Sequence, residues 1–388
     1  MEPYNPFELR KFTSPEFHFG SGAIEIIDQI IKNLGSKKIM IVTDPGVAKA
    51  GWAEIATRLI RGTGIPYVQF SNVSSNPKDR EVREAAGIFK KENCDTLVAV
   101  GGGSPIDCAK GISIMNSSGK DILEFDNSAS AAPARTPLIC IPTTAGASSD
   151  MSQFAMINNS AQKKKNTIIS SNIIPDITLI DPITTTTMKP DLTAETGMAA
   201  LVNAFEAYVS AKSSPVTDVY AIKAVNLISH NLIPAMEHHR DLRYRDKMMF
   251  GSLLAGLAFS NAYPGIIHSM AHALGGYLNM KHGVCSAILL ENAVKFNFYS
   301  SPERYTDLAR AMGVDTEGMG HHRIKDAILN EISSIRNKAG LGYPLGTLGV
   351  TADVIPYLAQ NAAEDLFSAT NPRSVVITDF EEIFNSSL

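Results

Sequence analysis

Long apolar runs are missing from this 388-residue chain, and no stretch approaches the ~20 residues needed to cross a bilayer. Extended basic segments are missing too. Lys163-Lys164-Lys165 is the one short cluster, and 35 Lys and Arg against 39 Asp and Glu leave a net charge of -4. That balance argues against a nucleic-acid surface. Cysteine is scarce: Cys94, Cys108, Cys140 and Cys285 are scattered without C-x-x-C spacing, a pattern of free thiols in a reducing compartment. Residues 1–8 lack the charged-then-apolar layout of a secretory leader, and no internal repeat or low-complexity tail is present. The expectation is a cytoplasmic protein with neither a nucleic-acid nor a membrane partner. Its length predicts two domains.

The first half alternates short β-branched runs with helical patterns. Strands are expected at 38–43, 67–70, 96–100, 137–141 and 177–180, with helices at 52–61 and 80–91. Such alternation implies βαβ units and a parallel sheet. After Asp181-Pro182 the texture changes, and four consecutive threonines, Thr184 to Thr187, propagate a helix poorly. Beyond them, 201–211, 219–230 and 247–259 carry apolar residues at helical period. The predicted fold is α/β: an N-terminal parallel-sheet dinucleotide-binding domain over 1–185, followed by an all-helical domain over 186–388. Residues 128–134 read as a small-residue loop.

Three features carry chemistry. The predicted strand 96–100 runs into Gly101-Gly102-Gly103-Ser104-Pro105-Ile106-Asp107. The glycines permit close backbone approach. Ser104 reads as an N-cap, Pro105 as the first helical residue and Asp107 as a capping-box partner. A capped helix after a glycine turn aims N–H groups at an anion, commonly pyrophosphate. The sixth position from Gly101 is Ile106, so the G-x-G-x-x-G rule does not apply, and a turn without a ligand stays open. At a second strand end, Thr143 and Thr144 offer hydroxyls. At a third, the Asp44 carboxylate suits ribose hydroxyls and would repel a 2′-phosphate, favouring NAD; a simple turn residue is the alternative. Finally, His268 and His272 are four apart, hence on one helical face, and His282 follows a glycine-containing bend. Metal binding or proton transfer is one reading, and helix-end histidines satisfied by backbone is the other.

Taken in order, Val42-Thr43-Asp44, the 101–107 turn, Pro142-Thr143-Thr144-Ala145-Gly146, Asp181-Pro182, Glu195-Thr196-Gly197-Met198, the 258–262 segment and the histidine stretch resemble the iron-containing (group III) alcohol dehydrogenase family over nearly the whole chain. The resemblance implies an active site between the two domains and an NAD-linked interconversion of a small alcohol and an aldehyde. It implies that Asp44 selects NAD and that Gly101, Gly102, Gly103, Ser104 and Asp107 hold the pyrophosphate. Thr143, Thr144, Lys165 and Leu179 would line the rest of the cofactor. His272 would act catalytically, His268 and His282 as ligands to Fe²⁺ or Zn²⁺, and the protein would form a homodimer or larger homo-oligomer.

One departure matters. The family supplies two further ligands as an Asp and a His four apart, where this chain has Ala199 and Asn203. Alanine cannot ligate, an amide is a poor substitute for imidazole, and two histidines fall short of the three protein ligands a catalytic site uses. Glu195, four before Ala199, is either a replacement ligand or a first-turn acid favoured by the helix dipole. Tyr263-Pro264 is also unusual and is expected to reshape the substrate pocket. The readings that follow are a dehydrogenase with a depleted metal site, as in one metal-free branch of the family, or a catalytically silent NAD-binding protein with a sensing role. A metal enzyme that has lost both ligands, naturally or by engineering, is the third.

Overall fold

The structure, a computed structural model, describes residues 11–125, 136–162 and 164–388. The leader reading of 1–8, the loop at 128–134 and Lys163 lie outside the described residues. The chain forms two compact units, Thr13–Met188 and Lys189–Leu388, the second including residues 11–12.

The first unit contains β1 (Glu16–Phe19), α1 (Ile27–Asn33), β2 (Ile39–Val42), α2 (Pro45–Ala50), α3 (Trp52–Arg61), β3 (Tyr67–Phe70), α4 (Asp79–Lys91), β4 (Thr96–Gly101), α5 (Gly103–Ser118), β5 (Leu138–Pro142), β6 (Phe154–Asn159), β7 (Lys164–Ile169) and β8 (Ile177–Ile180). Six strands make one sheet in the order β1-β8-β5-β4-β2-β3, every pair parallel. The strands β2, β4, β5 and β8 are buried throughout, which explains their continuous apolar runs. Met40, Val42, Leu97 and Ala99 pack on one face with Val82 and Phe89 of α4 and Ile106 and Ile112 of α5. Ile39, Ile41, Val98 and Val100 pack on the other with Ile27 and Ile31 of α1 and Ala56 and Ile60 of α3.

From β2 the chain steps outward to β3, then returns to lay β4 on the other side of β2. Strand order therefore reverses between β2 and β4, and the crevice beyond their carboxyl ends is where open α/β sheets bind ligands. Val42 and Ala99 are in register there, so Asp44 and the glycine turn leave adjacent strands at the same edge.

Two strand features are absent from the sequence reading. The edge strand β1 pairs with β8, and β6 with β7 forms a separate antiparallel hairpin, Asn158 facing Lys165. The four threonines form a 3₁₀ turn over Pro182–Thr187, with Thr184 Oγ1 donating to the carbonyl of Asp181. All four cysteines are buried free thiols.

The second unit is helical among its described residues: α6 (Pro190–Val209), α7 (Pro215–Glu237), α8 (Leu242–Ala262), α9 (Ile266–Leu278), α10 (His282–Asn297), α11 (Pro302–Ala311), α12 (His321–Lys338), α13 (Ile355–Ala363) and α14 (Ile377–Asn385). Among the described residues no single helix is long and apolar enough to cross a membrane, and α8 and α9 meet at 101°. The bend is made by Tyr263, at φ 60° and ψ 145°, a conformation that a non-glycine residue pays roughly 1–3 kcal/mol to hold. Neighbouring hydroxyls brace it: Ser210 Oγ donates to Ala262 O, and Thr370 Oγ1 donates to Pro264 O. The unusual Tyr263-Pro264 pair is thus the corner that aims α9.

Candidate active site

In the first unit, β4 ends at Gly101 and α5 starts at Gly103, with Gly102 as its N-cap and no side chain capping it. This corrects the sequence reading. Ser104 is inside the helix, and its hydroxyl donates to Ser75 O at 2.8 Å. Asp107 completes no capping box. It is buried, and its Oδ2 accepts the Met156 N–H at 3.2 Å. The turn is tight: a Cβ on Gly101 would lie 2.6 Å from Pro105 Cγ, and one on Gly102 would press on Thr144 Oγ1 at 3.0 Å. The same approach joins the glycine turn to the threonine loop, where Thr143 N donates to Gly101 O at 2.9 Å.

The remaining nucleotide-side residues divide. Asp44 caps α2, its Oδ1 accepting from Gly46 N at 2.7 Å and Val47 N at 2.9 Å. The turn-residue alternative therefore describes what one oxygen does. Lys165 is buried on β7, and burial lifts the Asp107 carboxyl to about 6 against the opposing charges of Lys110 first and Lys165 last. Leu179 is fully buried in the sheet core with Ile139, Ile141 and Ile177. Its side chain belongs wholly to that core. Lys110, which the sequence reading passed over, is fully buried; its Nζ donates to Ser152 O and Phe154 O, each at 2.7 Å, and anchors the start of β6. A backbone cradle that side chains would fill, at an uncapped helix N-terminus of sixteen residues, fits a dinucleotide pyrophosphate.

In the second unit, α9 presents His268 and His272 on one face with ring centroids 6.1 Å apart. The chain turns at Asn279, whose φ of 52° supplies the left-handed corner, whereas Gly275 and Gly276 sit inside α9; the bend is not made by glycine. His282 then opens α10 with its ring 4.8 Å from His268 and 5.3 Å from His272. Each α9 imidazole is backed by a carboxylate, Glu206 buried and Asp365 partly buried. His268 Nδ1 bonds Glu206 Oε2, while Glu206 Oε1 accepts the Ile267 N–H at 2.7 Å. His272 Nδ1 bonds Asp365 Oδ2 at 2.8 Å. Burial alone would raise the Asp365 carboxyl, but the charge of His272, its hydrogen bond and the Phe367 N–H hold it below the usual carboxylate range. Phe259 and Phe367 wall the cluster, with ring centroids 5.0 Å from His268 and 5.7 Å from His272 respectively. The sequence reading assigns no role to Glu206 or Asp365.

Helix α6 faces this cluster along one stripe, positions 195, 199, 203 and 206 being three or four apart. At its head, Glu195 is bound by Lys281 Nζ at 2.8 and 3.0 Å. Next, the Ala199 Cβ stands 3.4 Å from where a Cβ on Gly283 would be. Asn203 is 3% exposed, and Glu206 reaches His268. A divalent-metal set is not assembled from these groups. Ala199 offers a methyl, Asn203 an amide, and the Glu195 carboxylate is engaged by an ammonium. Among the described residues no group of three or more His, Cys, Asp or Glu is placed to hold a metal ion. Neither Ala199 nor Asn203 supplies the carboxylate or imidazole that Zn²⁺ and Fe²⁺ sites favour.

A glycine cradle at the switch point of a parallel sheet, on a chain with a carboxylate-backed imidazole cluster, is the equipment of a dinucleotide-linked oxidoreductase. The chain belongs to the iron-containing alcohol dehydrogenase family: residues 14–182 match the iron-containing alcohol dehydrogenase model and 193–388 the C-terminal model of the same family. It is 37% identical to a 1,3-propanediol dehydrogenase of Citrobacter freundii over 371 residues, 95% of this chain and 96% of that one. It is 33% identical to an NAD-dependent methanol dehydrogenase of Bacillus methanolicus over 377 residues, 97% of this chain and 99% of that one. Among solved structures, a 1,3-propanediol oxidoreductase superposes with a TM-score of 0.95 at 35% identity, covering 98% of this chain and 100% of that one.

Proposed function

We propose that this protein interconverts a small alcohol and the corresponding aldehyde with NAD(H), and does so without a resident divalent metal. The likeness over 97% of the chain to an NAD-dependent methanol dehydrogenase carries the reading. The uncapped α5 N-terminus beside Asp44 supports it. The first unit serves as the dinucleotide-binding domain and the second as the substrate domain. The bound nicotinamide supplies the hydride acceptor or donor. Backbone N–H groups of the 101–104 turn hold the pyrophosphate, with Thr143, Thr144 and Lys165 beside it and Leu179 contributing backbone. Asp107 supports the turn from beneath through its bond to β6. Asp44 takes ribose hydroxyls with the oxygen that does not cap α2. His272 takes the substrate hydroxyl proton at Nε2 on oxidation and returns it on reduction. His268 and His282 complete a polar wall about the substrate oxygen. The four buried free thiols support residence in the cytoplasm, and a homo-oligomer is the expected assembly.

The second reading, a silent NAD-binding protein, rests on Ala199 and Asn203. One experiment separates the two: NADH binding by fluorescence together with NADH oxidation over a panel of small aldehydes. Turnover supports the dehydrogenase, and binding without turnover on any aldehyde supports the silent protein.

A further inference from the structure

Asp365 stands 93 residues from His272 in sequence and meets it within the second unit. It opens the 3₁₀ turn Leu366–Thr370, where Oδ1 accepts the Phe367 N–H at 3.0 Å and lies 3.4 Å from the Ser269 hydroxyl. Those bonds explain one oxygen as a turn cap. They leave Oδ2, 2.8 Å from His272 Nδ1, with a separate task. A carboxylate accepts and cannot donate, so the ring nitrogen facing it must carry a proton. Nδ1–H is thereby fixed, and in the neutral ring the lone pair is left on Nε2. With Oδ1 pinned by backbone, the carboxylate plane is fixed, and so is the imidazole that hangs from it.

We infer that Asp365 is the positioning residue for His272, holding its ring orientation and its Nδ1–H tautomer so that Nε2 receives the substrate proton. The inference rests on the dehydrogenase reading above. In oxidation the carbinol C–H bond breaks, and a bound nicotinamide would supply the acceptor for the hydrogen and its electron pair. The O–H proton passes to His272 Nε2 as the C=O bond forms, and the imidazolium, still bonded through Nδ1–H to Asp365, releases that proton to water. Reduction runs the same bonds in reverse. The arrangement uses the logic of an aspartate that orients a histidine base.

The test uses the full chain with Asp365→Asn and Asp365→Glu. An amide side chain can turn its N–H₂ toward Nδ1 and thereby stabilise the opposite, Nε2–H tautomer. Asp365→Asn should lower kcat by roughly 100-fold or more while NADH affinity stays within about twofold. ¹⁵N NMR of the histidine rings, with His272 assigned by its loss in His272→Gln, should show Nδ1–H in the wild type and Nε2–H in Asp365→Asn. Asp365→Glu keeps a carboxylate and should retain Nδ1–H with a smaller loss of kcat; it carries the test if the asparagine variant does not fold. An unchanged tautomer in Asp365→Asn, or equal loss of kcat in both variants, overturns the assignment. If the wild type turns over no aldehyde, the dehydrogenase reading fails by itself, and the tautomer measurement still decides what Asp365 does to His272.

Discussion

Lys281 Nζ lies 2.8 Å from one oxygen of Glu195 and 3.0 Å from the other, joining the residue that precedes α10 to the first turns of α6. The acid four residues before Ala199 is therefore engaged by an ammonium, and the sequence alternative in which it replaces a missing ligand loses its carboxylate. The neighbouring backbone is equally committed, because Gly283 packs directly against the Glu195 carbonyl.

That packing gives a stability prediction. A Cβ on Gly283 would lie 2.2 Å from Glu195 O, which is backbone and cannot rotate away. Gly283→Ala should force α6 and α10 apart at about 1–3 kcal/mol, lowering the thermal midpoint by several degrees. Differential scanning calorimetry checks it, and an unchanged midpoint means the two helices separate freely there.

Asp44 should set the cofactor preference through charge rather than shape. Asp44→Asn retains an oxygen for Gly46 N and Val47 N, so α2 keeps its cap, yet the carboxylate beside a 2′-phosphate is gone. NADPH affinity should rise relative to NADH by roughly tenfold, the equivalent of about 1.4 kcal/mol. Parallel fluorescence titrations measure the ratio, and a ratio equal to that of the wild type removes Asp44 from the cofactor site.

The buried carboxyls of the first unit should leave a signature in acid stability. Burial lifts Asp107 and Asp150 each to about 6, above an unfolded value of about 4. The folded state then binds protons more tightly than the unfolded one. Their stabilising contribution is fully present below about pH 4 and is lost as pH rises through about 6. Asp107→Asn, which cannot ionise, should flatten the fall in unfolding free energy between about pH 4 and 6. Denaturant melts at a series of pH values follow this; slopes identical to those of the wild type would contradict the burial argument.

Much of this was legible in the residues, and the reasons are physical. The central strands β2, β4, β5 and β8 are covered on both faces, so they must be apolar throughout and stand out from the helices between them. Edge strand β1, Glu-Phe-His-Phe, is mostly exposed and lacks that signal, and the β6–β7 hairpin is masked by the polar residues around its turn. Ser104 and Pro105 mimic a helix start, but the helix already begins at Gly103, with Gly102 as its N-cap. The three histidines announce themselves by spacing. Glu206 and Asp365 do not, because an acid 62 or 93 residues from its imidazole has no local pattern to mark it.

Restoring the family pattern should create what the donor set lacks. Ala199→Asp with Asn203→His puts a carboxylate and an imidazole one helical turn apart on the stripe that faces His268 and His282. The double variant should retain roughly one divalent metal per chain through purification, and its turnover should become sensitive to chelators. A variant that folds yet binds no metal would show that the α6 stripe does not reach the histidines.

The most direct measurement is elemental analysis of the unmodified protein, made beside its NADH-dependent turnover with and without chelator. Far less than one bound metal per chain is expected, with aldehyde reduction that a chelator leaves unchanged. One tightly held metal per chain, with turnover abolished on its removal, would contradict it.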